Sequence, residues 1–210
     1  MKIAIVGTGS VGTVLGRRLG CVGHEITFVS RTPASERSQA LRLLPGVVGV
    51  RKSLQDLDPM PPVVIYASPY DHAQQMLQQA GDFHSAILID CTNPLNKTFD
   101  ALQLGHCESA GERMAQWAQG ARVVKSFNTT SVATMAEPKY GEHQATQFYC
   151  GDDESAKQVV AGLIGDLGME PVDAGPLRHA RYLEATAMLY IHLAVRGGWG
   201  GNCALKMLQR

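Results

Sequence analysis

The chain is predicted to adopt an α/β fold in which helices cover both faces of a doubly wound, mostly parallel sheet. Short apolar runs rich in β-branched residues alternate along the chain with longer amphipathic stretches, which is the order that parallel sheets require. The first run passes directly into a glycine-rich turn and then into a helix. The predicted strands span residues 3–6, 25–30, 47–50, 63–67, 86–90, 122–127, 146–150 and 170–174. The predicted helices span 10–21, 34–44, 72–80, 108–119, 153–167 and 177–195.

Composition excludes several classes of function. The chain has 210 residues, with 19 basic and 19 acidic side chains and a formal net charge of zero. The balanced charge gives no indication of a nucleic-acid or anionic-membrane partner. No apolar segment reaches the roughly 20 residues that span a bilayer. The five cysteines are widely spread and have no zinc-ligand spacing, so we expect reduced thiols in a cytoplasmic protein and no metal site.

The turn after the first strand reads G-x-G-x-x-G and comprises Gly7, Thr8, Gly9, Ser10, Val11 and Gly12. This pattern between a strand and a helix is typical of the first βα unit of a dinucleotide-binding fold, the Rossmann type. Gly7 permits the tight turn, Gly9 lets the backbone approach a pyrophosphate, and Gly12 lets the helix pack on the strand. The phosphates then lie at the helix N-terminus.

The end of the second strand predicts which dinucleotide binds. NAD-binding units place an Asp or Glu about 20 residues after the turn, where it bonds the ribose 2′-OH. Ser30 and Arg31 stand at that place here, so no carboxylate repels a 2′-phosphate and a guanidinium is present to bind it. The sequence therefore favours NADP(H). The alternative is that Arg31 is an ordinary solvated arginine.

Polar segments follow three further strands. They contain Ser68 and Pro69, Asn93, and Asn128. Doubly wound sheets bind ligands at the carboxyl ends of their strands, so these residues are expected to share one crevice. Alternatively, Ser-Pro and Asn-Pro pairs serve only to start turns.

The predicted organisation is a nucleotide-binding domain over residues 1–150 and a small C-terminal lobe over 151–210. The helix at 177–195 is apolar on nearly every face from residue 185 onward. A helix of this kind must be buried on all sides, and a short chain cannot enclose it alone. We therefore expect a subunit contact in a homodimer, or a wall of the acceptor site, to complete its burial.

Taken together, these stretches resemble the NADPH-dependent coenzyme F420 reductases, also called F420H2:NADP oxidoreductases. The matching residues are the glycine turn at 7–12, Ser30-Arg31, Asp-Cys-Thr-Asn-Pro-Leu at 90–95, Lys-Ser-Phe-Asn-Thr at 125–129, Asp-Ala-Gly-Pro-Leu at 173–177 and Ala-Arg-Tyr-Leu-Glu at 180–184.

The resemblance implies a role for several residues. Thr8, Ser10 and Val11 would contact the pyrophosphate, and Ser30 and Arg31 the 2′-phosphate. The nicotinamide end would be flanked by Ser68, Pro69, Asn93 and Asn128. It also implies a homodimer with the deazaflavin between the two parts of the chain. The sequence departs from the family at its second basic position, which Ser35 or Arg37 fills without a clear Lys.

The expected activity is hydride transfer between NADPH and a planar redox cofactor, coenzyme F420 or a flavin-like acceptor. The cofactors carry this chemistry, so no catalytic side chain is predicted. Two alternatives stay open: a short dehydrogenase for a small-molecule substrate, and a non-catalytic NADP(H)-binding sensor. An enzyme oxidises NADPH with some acceptor, whereas a sensor binds it without turnover.

Overall fold

The computed structural model describes all 210 residues and contains one eight-stranded sheet. The strands are β1 (Lys2–Val6), β2 (Glu25–Val29), β3 (Val47–Arg51), β4 (Val63–Tyr66), β5 (Ile87–Asp90), β6 (Arg122–Ser126), β9 (Thr146–Gly151) and β10 (Glu170–Asp173), with a separate hairpin formed by β7 (Lys139–Tyr140) and β8 (His143–Gln144). The helices are α1 (Ser10–Cys21), α2 (Glu36–Leu41), α3 (Ala73–Ala80), α4 (Ala110–Trp117), α5 (Val132–Ala136), α6 (Glu154–Asp166) and α7 (Ala180–Val195).

The strand order is β10-β9-β6-β5-β4-β1-β2-β3, and every neighbouring pair is parallel except β6 with β9. The prediction of a doubly wound, mostly parallel sheet is therefore confirmed. The chain crosses from β3 back to β4, so the strand order reverses between β1 and β4. Sheets of this type bind ligands in the crevice at such a reversal, beyond the carboxyl ends of the strands.

Two apolar layers lie on opposite faces of the sheet. On β1, Ile3 and Ile5 face the cluster formed with α1, α2, α5 and α6, while Ala4 and Val6 face the cluster formed with α3 and α4. This division follows from the period of two along a strand, which places successive side chains on opposite faces. Burial on both faces explains why the strands read as continuous apolar runs rather than as alternating ones.

The C-terminal part of the chain continues the sheet. β10 pairs in parallel with β9, and α6 packs on this edge. A domain boundary at residue 150 stays a prediction. All five cysteines are free. No helix has the length and apolar character needed to cross a lipid bilayer.

The last helix differs from its prediction. Residues Leu177–His179 form a 3-10 turn, and α7 begins only at Ala180. Within the chain, α7 buries one face through Ala180, Leu183, Glu184, Ala187 and Tyr190. Its other face leaves Leu189 58% exposed, so the chain itself buries only part of this apolar helix.

Candidate functional site

A cleft of about 480 Å³ opens at the carboxyl ends of β1, β2 and β4, beside the reversal of strand order. Hereafter it is called the glycine-rich cleft. The residues that line it are Gly7, Thr8, Gly9, Val29, Ser30, Arg31, Thr32, Ala67, Ser68, Pro69 and Met76. No Asp or Glu side chain lines the cleft. The structure thus brings together the glycine turn, the end of β2 and the segment after β4.

Helix α1 begins at this cleft without a side-chain cap. Its N-cap is Gly9, which has no oxygen to accept a hydrogen bond from the first turn. The helices α3 and α7 also lack a side-chain cap, whereas α2, α4, α5 and α6 are capped by Ser35, Ser109, Ser131 and Asp153, each of which accepts a backbone N–H. The first N–H groups of a helix have no intrahelical partners and carry the positive end of the helix dipole. An uncapped start is therefore available to a bound anion.

The glycines of the turn have distinct surroundings. A Cβ at Gly12 would lie 2.2 Å from the carbonyl oxygen of Gly7, so only glycine lets α1 pack this closely on the turn. A Cβ at Gly9 would meet no atom within 4 Å. Gly9 is therefore not required by the packing of the chain. The free space beside it is what a phosphate would need in order to approach the backbone.

The end of β2 presents one free cation. Arg31 is exposed and takes part in none of the ion pairs of the chain. Ser30 is buried, and its hydroxyl lies 3.0 Å from that of Ser38 and accepts the N–H of Thr32 at 3.3 Å. Ser30 therefore shapes the loop from inside while Arg31 stands free. A free guanidinium with no neighbouring carboxylate suits a phosphate dianion.

The other predicted residues lie outside this cleft. Asn93 and Asn128 bind each other at the ends of β5 and β6: Asn93 Nδ2 donates to the Asn128 carbonyl at 2.9 Å, and Asn128 Nδ2 donates to Asn93 Oδ1 at 3.0 Å. Ser10 lines a neighbouring groove between α1, α2 and α5. Val11 packs against the core, and Gly12 is buried against the turn. Cofactor contacts for these residues stay predictions.

A buried charge cluster lies at the carboxyl ends of β5 and β6, and the sequence interpretation missed it. Lys125 Nζ is 2.7 Å from Asp90 Oδ2 and 2.8 Å from Glu184 Oε1, and all three side chains are at most 1% exposed. Burial by itself lowers the pKa of Lys125, but the two carboxylates outweigh that effect and raise it, so the ammonium stays charged. The sequence did carry a signal: Asp90 and Lys125 are opposite charges at the ends of two apolar runs, in register on neighbouring strands.

Comparison with known proteins finds a family match in the first part of the chain. Residues 2–94, which include the glycine turn, the end of β2 and Asn93, match the family model described as "NADP oxidoreductase coenzyme F420-dependent". The match covers 93 of the 210 residues, so the chain resembles that family through its first part. The expected class of enzyme, an NADP-dependent oxidoreductase, is thereby confirmed.

Relatives with two kinds of name match most of the chain. The F420-dependent NADP reductase of Methanothermobacter thermautotrophicus is 27% identical over 93% of this chain and 90% of its own. Metalloreductase STEAP3 of Rattus norvegicus is 31% identical over 88% of this chain, but the match spans only 36% of that longer protein. A solved structure from Arthrobacter sp. FB24, provisionally named an F420-dependent NADP reductase, superposes over the full length of both chains with a TM-score of 0.89 at 29% identity.

Proposed function

We propose that this protein transfers a hydride between NADPH and a planar redox cofactor, coenzyme F420 or a flavin. The observation that carries the proposal is the glycine-rich cleft, in which an uncapped helix start and an unpaired Arg31 face a space without any carboxylate. These are the two features that a pyrophosphate and a 2′-phosphate need. The relatives named F420-dependent NADP reductases match nearly their whole length, which supports F420 as the acceptor.

The proposed nucleotide lies along the carboxyl edge of the sheet. The backbone of Thr8, Gly9, Ser10 and Val11 holds the pyrophosphate, and Arg31 beside Ser30 holds the 2′-phosphate. Beyond the strand reversal, Ser68 and Pro69 follow β4, while Asn93 and Asn128 follow the next two strands. This strand order supports our proposal that these four residues flank the nicotinamide.

The bound cofactors supply the hydride chemistry, and the chain supplies orientation and exclusion of water. No group of three or more His, Cys, Asp or Glu side chains is placed to hold a metal ion. The hydrogen bonds that the side-chain amides of Asn93 and Asn128 donate hold these two residues together. Such fixed groups suit a reaction whose main demand is that donor and acceptor rings be held at contact distance. We place this reaction in the cytoplasm, where five unpaired cysteines stay reduced.

The experiment is a turnover assay that compares acceptors. Each reaction contains purified protein, NADPH and one acceptor, which is F420, FMN, FAD or a ferric chelate. A further reaction contains no acceptor, and NADPH oxidation is followed by absorbance. We expect F420 to give the largest kcat/KM. Activity with the ferric chelate alone would instead favour the role named for STEAP3. If NADPH binds but no acceptor raises its oxidation above the acceptor-free rate, the chain is a sensor and the proposal is wrong.

We also propose that two copies of the chain associate through α7. Its exposed apolar side chains, Tyr182, Leu189 and Leu193, recur at helical spacing on one face. An apolar stripe of this kind marks a contact surface. Sizing by light scattering should give a dimer for the wild type and a monomer for Leu189→Glu. The matched control is Leu43→Glu, because Leu43 is 87% exposed and lies on no such stripe. A wild type that stays monomeric at high concentration would contradict the proposal.

A further inference from the structure

The charge cluster of Lys125, Asp90 and Glu184 also forms hydrogen bonds with backbone groups of neighbouring elements. Glu184 accepts the backbone N–H groups of Ala110 and Gly111 at 3.1 and 3.2 Å, at the start of α4. The cluster therefore joins β5, β6, α4 and α7. A buried ion cluster of this kind is weak evidence for stability, because apolar side chains of similar volume often stabilise as well. Its connections point instead to a role in positioning.

The cluster holds one residue of the loop after β5 from two sides. Asp90 Oδ1 accepts the N–H of Thr92 at 2.8 Å, and Lys125 Nζ donates to the carbonyl of Thr92 at 2.6 Å. The next residue along the chain is Asn93, which binds Asn128. The buried ammonium therefore lies one residue away from the amide pair that the proposed function places at the nicotinamide.

The same place in the molecule carries other features that cost stability. The segments involved, residues 90–93 and 125–129, are called the β5–β6 end below. Phe127 has a φ of +60°, a left-handed conformation that is unfavourable for an aromatic residue. The buried side-chain oxygens without a hydrogen-bond partner are those of Thr92, Asn128 and Thr129, and all belong to this end. Strain and unpaired polar groups that gather in one place mark a functional site more often than a stabilising one.

We propose that Lys125 is a positioning residue for hydride transfer. Held by Asp90 and Glu184, its ammonium fixes the backbone of Thr92 and, through it, the Asn93–Asn128 pair. This inference rests on the proposed function, because that function places the pair at the nicotinamide. Lys125 itself is fully buried, so its side chain is not exposed to a nucleotide or an acceptor. We therefore expect Lys125 to affect the position of the reacting ring and not the affinity for NADPH at the glycine-rich cleft.

The test uses Asp90→Asn. This change keeps the volume of the side chain and an oxygen for the Thr92 N–H, but it removes the negative charge that pairs with the Lys125 ammonium. Lys125→Met is the stronger variant, used if it folds. The matched control is Lys157→Met, because Lys157 also lies between two carboxylates, 2.8 Å from Asp173 and 2.9 Å from Glu154, but on α6 at the far edge of the sheet. Circular dichroism establishes that each variant is folded.

The first readout compares kcat and the NADPH Kd of each variant with those of the wild type. We expect Asp90→Asn to lower kcat by about tenfold and Lys125→Met by about 100-fold, with the NADPH Kd within about threefold. Lys157→Met should leave both quantities unchanged. Folded Asp90→Asn or Lys125→Met protein with wild-type kcat would overturn the inference. So would a loss of NADPH affinity by the same factor as the loss of kcat.

The second readout needs no acceptor, so it separates this inference from the proposed function. The fluorescence of bound NADPH reports the surroundings of the nicotinamide ring. We expect the emission of NADPH bound to Asp90→Asn to shift toward that of free NADPH, and the emission with Lys157→Met to match the wild type. If no acceptor is reduced, the proposed function fails, yet this shift still tests the positioning role. Emission identical in all the variants would overturn it.

Discussion

The glycine-rich cleft and the β5–β6 end both lie at the carboxyl edge of the sheet, but they differ in whether their charged groups are paired. In the glycine-rich cleft, the helix start is uncapped and Arg31 stands free and exposed. At the β5–β6 end, the charged side chains are paired and fully buried, the amides bind each other, and Phe127 is strained. The first region leaves its cation and its helix start unpaired, whereas the second has already paired its charged side chains and the amide nitrogens of Asn93 and Asn128.

Under the proposed function, the first region recognises the nucleotide and the second positions the reacting ring. Groups that are free in the chain can bind a charged ligand without first breaking an internal bond, so they contribute to affinity. Groups that are locked to each other cannot gain much affinity, but they hold a reacting ring in a fixed place. Substitutions at the glycine-rich cleft should therefore change binding of the nucleotide, and substitutions at the β5–β6 end should change stability and turnover.

The largest effect on stability is expected where a buried charge is left unpaired. Lys125→Met leaves Asp90 and Glu184 facing each other out of water, so it should lower the free energy of unfolding by about 3–5 kcal/mol. Lys157→Met leaves Glu154 and Asp173 without their cation, but these side chains are 69% and 36% exposed and can be hydrated. The free energy of unfolding should therefore fall by at most about 1 kcal/mol. Urea denaturation measures both values. Equal losses would show that burial of the cluster does not matter.

Two glycine substitutions test the glycine-rich cleft. In Gly12→Ala the new Cβ collides with backbone, so we expect a loss of about 1–3 kcal/mol of stability together with weaker NADPH binding. In Gly9→Ala the Cβ enters open space, so the chain should unfold at the wild-type urea concentration. NADPH should nevertheless bind at least about tenfold more weakly, because the Cβ lies where the pyrophosphate would approach. A Gly9→Ala protein with wild-type NADPH affinity would contradict the phosphate site.

The smallest effect has the opposite sign. Thr129→Val replaces a buried hydroxyl that has no hydrogen-bond partner by a methyl group of similar size. Removing an unsatisfied polar group should raise the free energy of unfolding by about 1 kcal/mol. The same change should lower kcat if the unpaired hydroxyls of the β5–β6 end are kept for the reaction. Thermal unfolding and the turnover assay measure the two quantities, and a destabilised Thr129→Val protein would show that this hydroxyl is satisfied after all.

Most of the fold was predictable from the sequence, because strands that bury side chains in both layers of the core leave a recognisable apolar pattern. Strands buried on two faces read as apolar runs, and α1 has the residue bounds that the pattern predicts. The direction of β9 was not predictable, because an apolar run is the same read in either sense. Its antiparallel pairing with β6 depends on the short helix α5 and the β7–β8 hairpin, which are too brief to give a periodic signal.

For the site, the parts that depend on local sequence were predictable and the parts that depend on pairing across strands were not. The glycine turn and Arg31 follow a known spacing, and they lie together in one cleft. Asn93 and Asn128 were expected beside a ligand, but neither their bonds to each other nor the contact of Glu184 with Lys125 across 59 residues of chain follows from spacing. The strain at Phe127 has no counterpart in the sequence pattern.

The most direct test of the account is the affinity of NADPH and NADH for the wild type and for Arg31→Ala, measured by isothermal titration calorimetry. A charge-assisted contact to the 2′-phosphate should make the wild type bind NADPH about 10- to 100-fold more tightly than NADH. Arg31→Ala should lose that preference and keep its NADH affinity, whereas Arg42→Ala, at an exposed arginine outside the cleft, should keep both. If Arg31→Ala still prefers NADPH by the wild-type factor, or loses both nucleotides equally, the 2′-phosphate is not held at the end of β2.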